Sequence, residues 1–94
     1  MSDVNVRNNP EQHRYEAVVE DEVAGFAAYE LAEGRITFTH TVVEDRFEGQ
    51  GVGSALARSA LDEVRADGTR AVRPQCSFIK GWIDKHPDYA DLVT

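Results

Sequence analysis

Three features of this chain have the residue types and spacing to do chemistry: a glycine-rich turn, a lone cysteine, and a histidine near the end of a strand-like run. The turn reads Gly49-Gln50-Gly51-Val52-Gly53-Ser54. It stands between a β-like segment and a helical one. The first turn of a helix has unpaired N–H groups and the positive end of the helix dipole. Glycine lets the chain bend sharply and lets an anion reach those groups without meeting a Cβ. Successive amides from Gln50 through Val52 to Ser54 can therefore cradle a pyrophosphate, with the Ser54 hydroxyl as an added donor. Arg46, just before the turn, is a candidate cation for the same phosphates. Arg58 is a second, although Asp62 at i,i+4 offers it another partner. A Walker loop needs a lysine that is missing here. Both possible dinucleotide spacings fail, since Gly49-x-Gly51 leads to Ser54 and Gly51-x-Gly53 to Leu56. A tight connection with no ligand is the competing reading.

His40 and Cys76 form the second constellation. His40 lies near the end of one strand-like run, and Cys76 just after another. If the two strands are parallel neighbours, their C-terminal ends lie together, where α/β ligands bind. His40 could then lower the thiol pKa or act as a base. The alternatives are structural. His40 shares a strand face with Ile36, Phe38 and Val42, so it reads equally as a core histidine. Free cysteines are commonly small buried hydrophobes.

The elements that must position these groups are legible in outline. Val4 to Arg7 suggests an edge strand. Tyr15, Ala17 and Val19 alternate with polar residues, the period of a half-buried strand. Val23 to Leu31 reads as another strand, with Gly25 as a bulge. Arg35 to Val43 is a further strand, rich in β-branched and aromatic residues. Glu44 to Gln50 is a polar loop. Val52, Leu56, Ala60 and Val64 then fall four apart on one helix face, beside Leu61, and Gly68 is a natural stop. Ala71 to Pro74 is β-like and parallel to its predecessor through the crossover helix. Phe78, Ile79, Trp82 and Ile83 predict an amphipathic helix ending near Pro87. The fold class is α+β, in one domain over residues 1–94: an antiparallel meander, helix, parallel strand and C-terminal helix.

Composition bounds the partners. The chain has 94 residues and a formal charge of −7. That charge excludes general nucleic-acid binding, which needs a basic stripe. It suits a cationic acceptor such as an amine. The polar start, Met1 to Pro10, and the lack of an apolar run of about 18 residues predict a cytoplasmic protein without a membrane partner. The single cysteine fits that compartment and provides no multi-cysteine metal site, so no metal is expected.

The run Glu48-Gly49-Gln50-Gly51-Val52-Gly53, after a strand and opening a helix, resembles the acetyl-CoA signature of the GNAT superfamily of N-acetyltransferases, Arg/Gln-x-x-Gly-x-Gly/Ala. The stretch Ile36 to Val93 is similar to a subfamily of very short GNAT-like proteins. The shared pattern is strand, His40-Thr41, glycine turn, long helix, Pro74-Gln75-Cys76, aromatic helix and His86-Pro87. The resemblance implies acetyl-CoA as cofactor, bound by Arg46 and residues 49–54, and transfer of acetyl to an amine, such as one on a protein or peptide. It places Cys76 and His40 at the active site, with Cys76 as a possible acetyl acceptor. A CoA-binding or interaction module without catalysis is the alternative. Glu48 stands where the superfamily has Arg or Gln, so recognition would rest on backbone amides. The helices that usually wall the acceptor site are missing.

Overall fold

The computed structural model describes residues 4–93. Five strands form one sheet in the order β1-β2-β3-β4-β5. They are β1 Asn5–Asn9, β2 Arg14–Val19, β3 Glu22–Ala32, β4 Arg35–Val43 and β5 Ala71–Pro74. The first four make an antiparallel meander, and β5 joins β4 in parallel. Helix α1 spans Val52–Asp67 and supplies the crossover between β4 and β5. Helix α2 spans Ser77–Lys85, and a 3-10 segment follows at Pro87–Leu92. The expected α+β architecture is therefore present, and the edge strand reaches two residues further than Val4 to Arg7.

Alternation builds the sheet face of the core. Tyr15, Ala17 and Val19 of β2, Ala27 and Tyr29 of β3, and Ile36 and Phe38 of β4 are all buried. The apolar stripe of α1, with Leu56, Ala60, Leu61 and Val64, closes over them. Gly68 ends α1 in left-handed backbone, and its N–H bonds the Val64 carbonyl. α2 and the segment after it dock beside α1. Tyr89 donates a hydrogen bond to Asp62, and Arg65 binds Asp91 at 3.0 Å. Arg58 lies over the Trp82 ring and makes no ion pair with Asp62, whose Oδ1 accepts the Tyr89 bond. Among the described residues, no helix covers the opposite sheet face. There Glu16, only 2% exposed, is held by Arg7, Arg14 and Asn9.

Two bulges break the regular pairing. On β3 the pairs run Ala17 with Gly25 and then Val18 with Val23, so Ala24 is the extra residue. The bulge expected at Gly25 thus falls one residue earlier. Gly25 answers a different demand: a Cβ there would sit 2.5 Å from the Val42 carbonyl oxygen. On β4, Tyr29 pairs with Phe38 and Ala28 with His40, leaving Thr39 as the extra residue. Side chains alternate in a strand, so one extra residue exchanges the two faces beyond it. Among the described residues, no helix is long and apolar enough to cross a membrane, and no group of three or more His, Cys, Asp and Glu is placed to hold a metal.

Candidate functional site

The glycine turn folds as a launching point for α1. Gly49 and Gly51 take φ of 82° and 77°, a region that costs a side-chain-bearing residue but not glycine. Gly51 is the N-cap residue and makes no side-chain cap. The first backbone bond into the helix runs from Ala55 N–H to the Gly51 carbonyl. By helix geometry the N–H groups of Val52, Gly53 and Ser54 precede it and have no helical acceptor. Beyond Gly49 and Gly51 a Cβ would meet nothing within 4 Å. Space is therefore open where an anion could approach.

That space belongs to a cleft of about 270 Å³ lined by Val43, Phe47, Gly49, Gly51, Gly53 and Phe78. Glu48, Val52 and Ser54 also border it, but Gln50 does not. Val52 is buried in the core, so its backbone is the part available. Two aromatic side chains also shape this cleft, Phe47 and Phe78. Phe47 is buried, although the loop around it is polar. The helical spacing of Phe78 with Trp82 predicts a core position for its ring. Instead it is 42% exposed, and its ring lies against Gly53, where a Cβ would come within 2.7 Å of it. The small residue at position 53 was the available hint, because it leaves room for a ring.

Arg46 is not brought to the turn. It binds Glu22 at 3.1 Å and Glu44 at 3.5 Å and lies over the Phe47 ring. The 3-10 turn at Asp45–Phe47 directs it back toward the start of β3.

The expected meeting of His40 with Cys76 is not made. The Thr39 bulge turns His40 to the helix-free face of the sheet, where it is exposed. There it meets the edge of Phe26, 5.7 Å between ring centroids, and Thr39 Oγ1 at 3.3 Å. The reading of His40 as a core histidine fails for the same reason. Thr41 takes the inward position, and its Oγ1 lies 3.3 Å from Cys76 Sγ. Cys76 is 7% exposed and caps the start of α2. Its N–H bonds the Phe38 carbonyl at 2.9 Å, a backbone link between β4 and the chain leaving β5. Paired positions end at Phe38 and Pro74, so β4 from Thr39 to Val43 has no β5 partner on that side. Thr41 and Val43 share the inward face, roughly 7 Å apart along the strand. One strand edge thus leads from the thiol to the glycine cleft.

A family model described as GCN5-related N-acetyl-transferase matches residues 14–92 of this chain. Among solved structures, the chain is similar to a GCN5-like protein from Staphylococcus aureus determined by NMR in solution. The identity is 24%, the TM-score is 0.73, and the match covers 100% of this chain and 91% of that one. At that identity the likeness carries the fold alone. A search of curated proteins found no match.

Proposed function

The chain belongs to the GCN5-related N-acetyl-transferases, and from that premise we propose that it binds acetyl-CoA along β4 and transfers the acetyl group to an amine. The observation that carries this reading is the continuous path from the open amides of α1 to Cys76. The residues fit the cofactor in kind. Amides at Val52, Gly53 and Ser54 suit a pyrophosphate. The unpaired edge of β4 suits an extended chain containing amides, as in strand addition. Thr41 and Cys76 stand at the far end, where the thioester would lie. A bound thioester supplies an activated acetyl group.

The residues then divide the work. The Thr41 hydroxyl can donate to a carbonyl oxygen or orient the Cys76 thiol. Cys76 is the candidate acceptor for a covalent route. His40, on the other side of the same open edge, is the candidate base for an amine arriving from the helix-free face. Phosphate recognition rests on the backbone, since Arg46 is held by two carboxylates. The acceptor amine is carried by a small molecule or by a protein, and the cytoplasm is the compartment this reading favours.

Isothermal titration with acetyl-CoA and with CoA tests the cofactor. Saturable heat is expected for both, and none at millimolar cofactor would refute the site. Acetyl transfer is tested separately with a panel of amines. Binding without transfer to any of them would favour a CoA-binding module, the alternative reading.

A further inference from the structure

A second cleft lies toward the other end of α1. Its volume is about 430 Å³, within the range of small-molecule sites. Tyr15 and Tyr29 form an aromatic wall, with ring centroids 5.3 Å apart and planes tilted by 51°. Leu31 and Ile36 add apolar surface, and Glu63 and Asp67 come from α1. Glu63 is ten residues beyond Gly53, roughly 15 Å along the helix axis.

The polar groups of this cleft are unequally engaged. The Tyr29 hydroxyl donates to Asn8 Oδ1 at 2.7 Å. Asp67 pairs with Arg70 at 3.0 Å, so those two charges offset each other. Tyr15 differs. It is 4% exposed and lines the cleft, and its hydroxyl has no hydrogen-bond partner among the described residues. Yet that hydroxyl is not sealed in. Among the described residues the one fully buried side-chain nitrogen or oxygen left unpaired is Trp82 Nε1. The Tyr15 hydroxyl therefore opens on the cleft. Glu63 is exposed, borders the same space and has no ion pair among the described residues. Its charge is felt at Tyr15.

We propose that this cleft binds an organic cation, an ammonium ion on a short apolar stem. Aromatic rings favour a cation over an anion. Glu63 supplies the counter-charge, the Tyr15 hydroxyl accepts a hydrogen bond from the ammonium, and Leu31 and Ile36 cover the stem. A neutral ligand gains nothing from Glu63, and an anion is repelled by it. The site stands apart from the glycine cleft and does not depend on the cofactor reading.

The test is an NMR titration of the full chain, with labelled tyrosine rings, by butylammonium chloride at constant ionic strength. Saturable shifts are expected at Tyr15 and Tyr29, with butanol and butyrate weaker by about tenfold, a difference of about 1.4 kcal/mol. Glu63→Gln, at an exposed helix position, should weaken butylammonium by roughly fivefold, the size of a modest ionic contact. Tyr15→Phe keeps the ring and should weaken it by a smaller factor. A capped lysine peptide forms the second arm. Tighter binding by the peptide assigns the ammonium to a protein side chain, and tighter binding by butylammonium assigns it to a free amine. The proposal is overturned if no saturable shift occurs at tens of millimolar, if butanol binds as tightly, or if Glu63→Gln leaves the affinity unchanged. A CoA titration on the same sample, read at the amides of residues 49–54, reports the other cleft separately.

Discussion

Gly51→Ala and Gly34→Ala are a matched pair that isolates ligand binding from stability. Both glycines sit in left-handed backbone, at φ 77° and 72°, and at both a new Cβ would meet nothing within 4 Å. The conformational cost is therefore the same at the two sites. Holding an L-residue in that region costs roughly 1–2 kcal/mol. Alanine recovers about 0.4–1 kcal/mol by restricting the unfolded chain. The net loss is about 1 kcal/mol, which lowers Tm by roughly 4–8 °C in a domain of this size. The variants should diverge only with ligand present. Gly34 lies in the turn between β3 and β4, away from the glycine cleft, so Gly34→Ala should keep its CoA affinity. In Gly51→Ala the methyl group stands in the space a phosphate would use. Affinity should fall about tenfold or more, at least 1.4 kcal/mol. Calorimetric melting gives the first quantity and isothermal titration the second. An unchanged CoA affinity in Gly51→Ala refutes the phosphate cradle. An equal loss in both variants traces the effect to stability and refutes it equally.

Other substitutions test other parts of the molecule. Gly25→Ala forces a Cβ to within 2.5 Å of the Val42 carbonyl oxygen, and backbone cannot rotate aside, so denaturant unfolding should show a loss at or above about 3 kcal/mol. Burial, then the charge of Glu63, holds the Tyr15 hydroxyl above the ordinary tyrosine range, and burial raises Tyr29 as well. The unfolded chain therefore loses these protons first, near pH 10. Stability should be intact below that pH and fall above it by up to about 1.4 kcal/mol per pH unit for each tyrosine. Tyr15→Phe should flatten this alkaline limb. Burial alone would raise the Glu16 carboxyl, but hydrogen bonds from Arg14, Arg7 and Asn9 outweigh it and hold the carboxyl low. Its contribution is present above about pH 4 and lost as acid protonates it. Glu16→Gln should cost about 2 kcal/mol at neutral pH and reduce the loss seen on acidification. Cys76→Ala should abolish any acetyl adduct seen by mass spectrometry after incubation with acetyl-CoA. His40→Ala should leave such an adduct intact while slowing transfer to an amine by roughly a hundredfold, the low end for a lost base.

Much of the fold could be read from local pattern, because local physics governs it. Tyr15, Ala17 and Val19 alternate, α1 repeats its apolar residues at helical spacing, and Gly68 stops it. Each of these signals is written within a few neighbouring residues. The glycine turn was legible for the same reason. The misreadings share one cause, which is competition between residues far apart in the chain. Arg58 and Asp62 are spaced to pair, but Tyr89 and Trp82 arrive from the C-terminal segments and claim them. Arg46 sits beside the turn in sequence, but Glu22 from the opposite hairpin neutralises it. Phe78 has core spacing, but Gly53 gives its ring a groove at the helix start. The bulge at Thr39 leaves no local mark. Thr39 is a good strand residue in a run of good strand residues, and only the pairing with β3 makes it the odd one.

That single residue has a consequence for reading relatives of this chain. Position along β4 does not translate into a face by counting alone; the count must be restarted after Thr39. Aligning a bulged sequence with an unbulged one column by column will therefore set His40 against residues that face inward elsewhere. A chain that kept every residue but paired β4 with β3 without the bulge would present a histidine to its thiol, whereas the bulged chain presents a threonine. Columns downstream of the bulge carry comparable chemistry only when matched by pleat direction, so an apparent histidine-to-threonine replacement at this site can be a shift of frame with no change of residue.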